Sequence, residues 1–188
     1  MILTYIRVGF IPLIVIFYYL PFDWAQVLAV GLFIVASFTD WLDGYVARNF
    51  KQTTKLGAFL DPVADKLLVA TVLIILVDQI HISLLLSIPS IIIIGREILV
   101  SALREWMAEI GKRSRVSVVK VAKYKAFLQM TGIAVLLSYN IDSVYTFNWV
   151  ILTSGLIIFY IAAALTIWSM CVYLKLARTD LTSPPESE

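Results

Sequence analysis

The chain has 188 residues, of which 61% are hydrophobic and 15% charged, against roughly 45–50% apolar and about 25% charged in a soluble domain. With a mean hydropathy of +0.91, a folded surface of this composition could not be solvated, which excludes soluble nucleic-acid binders, disulfide-stapled secreted scaffolds and disordered chains and points to an integral membrane protein. The net charge of +2 says little beside the placement of the fifteen Lys and Arg.

The pattern predicts an all-α polytopic protein of six transmembrane helices over residues 1–178, with a short disordered tail at 179–188. The first span, Ile2 to Leu20, is interrupted only by Arg7 and broken by Pro21, Phe22 and Asp23. It is too long for a signal-peptide core and no small-residue cleavage site follows, so it reads as a retained helix; its Arg7 could face the site, but snorkelling to the interface is the expectation. The second runs from Trp24 to Phe38 and meets Asp40; the third builds after Gly57, with an uncharged run from Leu67 to Val77. The fourth runs from Ile82 to Ile94, meets Gly95, Arg96 and Glu97, and resumes at Ile98. The fifth centres on Ala126 to Leu137, and the sixth fills Trp149 to Leu174 without a charge, enclosing the lone Cys171, expected as a small core hydrophobe.

A helix needs about 20 residues to cross the hydrocarbon. The clean runs of spans two to four are shorter than that, so these helices must extend into their own charged residues, and in each the shortfall lies at the same side of the membrane. The outer turns around Pro21 to Asp23, Asp78 to His81 and Ser138 to Asn148 carry no Lys or Arg. All fifteen bases fall on the other half, so both termini are expected in the cytoplasm. Trp24, Trp149, Trp168, Tyr139 and Tyr145 fit aromatic belts or packing, and His81 a wetted outer turn.

At those cytoplasmic ends lie Asp40, Asp43, Gly44, Ala47 and Arg48, then Gly57, Asp61 and Asp65. At about 100° per residue, Asp40, Asp43, Gly44 and Ala47 share one helix face, and Gly57, Asp61 and Asp65 share one face of the next helix. Four converging carboxylates repel one another, and each costs about 2.5–3.5 kcal/mol at membrane depth. Arg48 and Lys66 could offset this charge, and an all-oxygen cluster also suits hard divalent cations such as Mg²⁺ or Mn²⁺. The small residues leave the face open to a bulky group, and Arg48 could hold a phosphate.

The pattern D-x-x-D-G-x-x-A-R, eight further residues, then G-x-x-x-D-x-x-x-D resembles the signature of the CDP-alcohol phosphotransferase family, with every defining position filled by the residues just named. Leu3-Thr4-x-x-Arg7, the segment Gly95 to Trp106 and Gln129-Met130 resemble the bacterial branch whose acceptor is glycerol 3-phosphate. The resemblance implies two divalent ions, one held by Asp40, Asp43 and Asp61 and the other by Asp40, Asp61 and Asp65. It implies CDP-diacylglycerol bound by Asp43, Gly44, Ala47, Arg48 and Gly57, with Asp65 as the general base. It also implies transfer of the phosphatidyl group to glycerol 3-phosphate with release of CMP, in a homodimer of the bacterial inner membrane whose site faces the cytoplasm. The acceptor phosphate would be held by Arg96, Arg104 and Lys123, while Arg113, Arg115, Lys120 and Lys125 attract anionic headgroups at the leaflet surface. Two departures stand out: Leu3 almost begins the chain where the branch has an Asn-Ile-Pro-Asn-like lead-in, and Ala122-Lys123-Tyr124-Lys125-Ala126 replaces Gly-Lys-x-Lys-Thr.

Other readings share parts of this pattern. A family enzyme with a serine, inositol or phosphatidylglycerol acceptor would carry the same acids, but a neutral acceptor has no need of Arg96 and Arg104. An aspartate-rich prenyltransferase would place its acid motifs on distant helices and use more spans. A cation transporter would spread its acids across the bilayer depth, whereas these four occupy one end.

Overall fold

The computed structural model describes the backbone of residues 2–50, 55–80, 83–110, 121–140 and 146–181, and side chains at 4–22, 24–39, 60, 62–80, 84–110, 124–140 and 148–175. Among the described residues there are six helices: α1 (Ile2–Tyr19), α2 (Asp23–Phe50), α3 (Lys55–Gln79), α4 (Ser83–Glu109), α5 (Val121–Leu137) and α6 (Thr146–Leu181). No strand interrupts them among those residues. With no water in the hydrocarbon to satisfy backbone groups, a run of helices is how such a chain spans a membrane. Leu84–Glu109 and Asn148–Lys175 are long and apolar enough to cross by themselves, and Thr4–Tyr19, Trp24–Thr39 and Tyr124–Leu137 form shorter apolar stretches.

As expected, α2, α3 and α4 run on through their own charged residues, reaching 28, 25 and 27 residues. At its far end α6 goes further than expected. It continues through Thr179, Asp180 and Leu181, into the segment read as a disordered tail, while 182–188 lie outside the described residues. Lys175, Leu176, Ala177 and Arg178 are good helix formers, and the first strong breakers are Pro184 and Pro185.

The helices pack α1 on α2 and α3, α3 on α4, and α6 on both α4 and α5, with α5 also touching α2 and α3. The core draws on all six, among them Ile14, Phe33, Leu73, Ile93, Leu136 and Phe159. The α5–α6 contact is the most extensive, and small residues bring it close: a Cβ on Gly132 would lie 3.1 Å from the Phe159 backbone nitrogen. Polar ties hold the end remote from Asp65. Gln26 Nε2 donates to the carbonyls of Leu137 (3.0 Å) and Tyr139 (2.8 Å), closing the end of α5. Tyr19 donates to Asp78 at 2.8 Å.

Two expectations about orientation fail. Arg7 is fully buried, as is its neighbour Thr4, so it faces the bundle and does not snorkel outward; a charge on a spanning helix is less costly against protein than against lipid. Cys171 is exposed on α6, because the outside of this bundle is apolar too. Trp24, Trp149 and Trp168 are likewise exposed, as belt residues should be. Tyr139 packs against the core, while His81 and Tyr145 lie outside the described residues.

Candidate active site

A cavity of about 270 Å³ opens between α3, α4 and α5. Asp65 and Lys66 come from the first half of α3, Arg96, Glu97 and Arg104 from the second half of α4, and Lys125 and Gln129 from the start of α5. Antiparallel neighbours bring these stretches to one end of the bundle. Among the described residues, four cationic side chains face two carboxylates, a lining that favours anions.

The cations are held in place by specific partners. Arg96 is 7% exposed and donates from Nη1 to Glu97 at 3.1 Å and from Nη2 to Ser169 of α6 at 3.2 Å. Glu97 accepts a second bond from Lys125 Nζ at 2.6 Å, so one carboxylate bridges two bases on two helices. Arg104 donates from Nη2 to the hydroxyl of Tyr173 at 2.8 Å. Lys66 donates to Ser101 of α4. Gln129 is 3% exposed, and its Oε1 is buried without a hydrogen-bond partner among the described residues.

Of the residues singled out in the sequence, Asp65, Arg96 and Arg104 line this one cavity. Asp40, Asp43, Gly44, Ala47 and Arg48 lie on α2 and Gly57 and Asp61 on α3, but their side chains are outside the described residues, as is that of Lys123 on α5. Arg113, Arg115 and Lys120 also lie outside them.

Lys125 needs correction. Expected at the leaflet surface, it is 2% exposed and paired with Glu97 inside the cavity wall. Lys125 and Gln129 are one turn apart on α5, so the face that carries Gln129 inward carries Lys125 with it. Ser169 and Tyr173 were not singled out at all. Thr166, Ser169 and Tyr173 are the readable signal, since their i, i+3, i+7 spacing marks a polar stripe on the uncharged stretch of α6 from Trp149 to Leu174. All three are buried.

Residues 1–171 match the model of the CDP-alcohol phosphatidyltransferase family. A CDP-diacylglycerol–glycerol-3-phosphate 3-phosphatidyltransferase of Pectobacterium atrosepticum is 47% identical over 182 residues, covering 97% of this chain and 96% of the relative. Proteins of the same description from Salmonella choleraesuis and Yersinia pestis are also 47% identical, over 180 and 185 residues, covering 95% and 97% of this chain and 94% and 96% of the relatives. A match over nearly the whole chain, on an all-helical membrane frame with a charged cavity at one end, makes this protein a member of the CDP-alcohol phosphatidyltransferase family.

Proposed function

We propose that this protein transfers the phosphatidyl group of CDP-diacylglycerol to glycerol 3-phosphate, giving phosphatidylglycerophosphate and CMP. The observation that carries the reading is the convergence of Arg96, Arg104 and Lys125 with Asp65 around one cavity. A phosphate-bearing acceptor needs fixed cations beside the group that takes its proton, whereas serine or inositol would find three bases with nothing to bind. The names of the near full-length relatives support the same substrates.

In this reading Arg96 and Arg104 hold the acceptor phosphate through their N–H forks, with the Lys125 ammonium beside them and Lys123 as a further candidate on the same helix. The acceptor hydroxyl oxygen attacks the lipid-side phosphorus, its proton passes to the Asp65 carboxylate, and the bond to the CMP oxygen breaks. The family resemblance supports Asp43, Gly44, Ala47, Arg48 and Gly57 as the residues that receive the nucleotide end of CDP-diacylglycerol. The donor set Asp40, Asp43, Asp61 and Asp65 offers oxygen only and so fits two hard divalent ions, Mg²⁺ or Mn²⁺. When bound there, such ions offset the charge that accumulates at phosphorus.

The basic bias of one half of the chain supports a site facing the cytoplasm with both termini on that side. The bacterial relatives support an inner-membrane location, and the family resemblance supports a homodimer. CMP release by the purified protein, with CDP-diacylglycerol, Mg²⁺ and each of glycerol 3-phosphate, serine, inositol and phosphatidylglycerol, tests the reading. Turnover is expected with glycerol 3-phosphate; turnover only with serine, inositol or phosphatidylglycerol would overturn it.

A further inference from the structure

We propose that Tyr173 is a positioning residue that aims the two arginines of the cavity at the acceptor's phosphate. This rests on the reading of Arg96 and Arg104 as phosphate ligands. Tyr173 is fully buried on α6 and does not line the cavity; it stands behind the arginines. The Cζ of Arg104 lies 5.1 Å from its ring centroid and that of Arg96 lies 5.7 Å from it, both within the reach of a cation–π contact. Its hydroxyl accepts from Arg104 Nη2 at 2.8 Å. One turn earlier Ser169 accepts from Arg96 Nη2 at 3.2 Å. Each guanidinium therefore has its own hydrogen bond to α6 and a shared aromatic face.

Two features make this an aiming device as well as packing. The ring is fixed from behind by an apolar cluster, with Val100, Leu103 and Met107 of α4 buried around it, so it cannot swing away when a ligand arrives. The anchor is also neutral. Arg96 shares its charge with Glu97, but among the described residues no carboxylate pairs with Arg104. An acid in place of Tyr173 would hold Arg104 as firmly yet compete with phosphate for its charge. A phenol orients the guanidinium and leaves its full charge facing the cavity, so its rotamer freedom is restricted before the acceptor binds.

The test is steady-state kinetics of the purified full-length protein, comparing Tyr173→Phe, Tyr173→Leu and Arg104→Ala with wild type. Tyr173→Phe keeps ring and volume but removes the hydroxyl, and is expected to raise KM for glycerol 3-phosphate about 5-fold. Tyr173→Leu removes the aromatic face too, and a rise of about 10- to 50-fold is expected. In both, kcat and KM for CDP-diacylglycerol are expected within about 2-fold of wild type, because only uniform binding of the acceptor is lost. If Arg104→Ala raises the acceptor KM while Tyr173→Phe does not, the positioning role is overturned and the phosphate reading stands. If Arg104→Ala leaves the acceptor KM unchanged, the phosphate reading itself fails. A parallel loss in kcat and both KM values in Tyr173→Phe would make the residue structural only; should Tyr173→Leu not fold, Tyr173→Phe decides.

Discussion

Glu97 on α4 and Lys125 on α5 meet at 2.6 Å, and the same carboxylate oxygen accepts from Arg96 at 3.1 Å. One acid thus serves two bases, and its position between helices ties the cavity wall together. Lys125 is almost wholly buried whereas Glu97 retains some exposure, so the lysine loses more when the pair is broken. Glu97→Gln is expected to lower stability by about 2–3 kcal/mol, because it strands a buried ammonium. The double variant Glu97→Gln with Lys125→Met should recover most of that, since both charges leave together. Thermal unfolding in one detergent compares the three proteins.

The same sharing separates the two arginines. Arg96 is partly neutralised by Glu97, whereas Arg104 is held by the Tyr173 hydroxyl and ring. Arg104→Ala is therefore expected to raise KM for glycerol 3-phosphate by about 10- to 100-fold, and Arg96→Ala by less. Arg104→Lys should restore only part, because an ammonium cannot reproduce a forked contact. Equal effects from the two alanine variants would contradict this ranking.

Asp65 stands at the cavity wall beside the cations, where the proposed reaction needs an acceptor for one proton. Asp65→Asn keeps the shape and removes that basicity, and kcat is expected to fall by about 10²- to 10⁴-fold. EDTA should abolish CMP release by the wild type, and added Mg²⁺ or Mn²⁺ should restore it. The asparagine variant should stay inactive at every metal concentration; full rescue by metal would remove Asp65 from the proton-transfer role.

Packing of α5 on α6 depends on Gly132. A Cβ there would sit 3.1 Å from the Phe159 backbone nitrogen and 3.3 Å from its Cα, and backbone cannot turn aside as a side chain can. Gly132→Val is expected to cost about 1–3 kcal/mol. Gly31→Ala, whose Cβ would meet nothing within 4 Å, serves as the control and should be neutral or slightly stabilising. Melting temperatures of the two variants against wild type give the comparison.

Much of the frame is legible in the sequence. Spans two to four had to overrun their apolar runs into charge, and α2, α3 and α4 do so. Asp65, Arg96 and Arg104 were assigned from different helices, and they share one cavity. What escaped the reading was the rotation of each helix about its axis. In water an apolar stripe marks the buried face, but against lipid both faces of a helix are apolar and periodicity loses that meaning. Hence Cys171 was expected inside and is exposed, while Arg7 and Lys125 were expected outside and are buried.

The sequence by itself determined a helical membrane frame, with its bases and the four motif aspartates expected at one end, because hydropathy and the cost of buried charge act on each segment alone. Only the tertiary structure decided which charges meet. Glu97 holds Lys125 and Arg96 together, and Tyr173 backs Arg96 and Arg104, because α4, α5 and α6 pack at specific rotations. Those rotations arise from close contacts such as Gly132 against Phe159, which depend on the shapes of two helices at once.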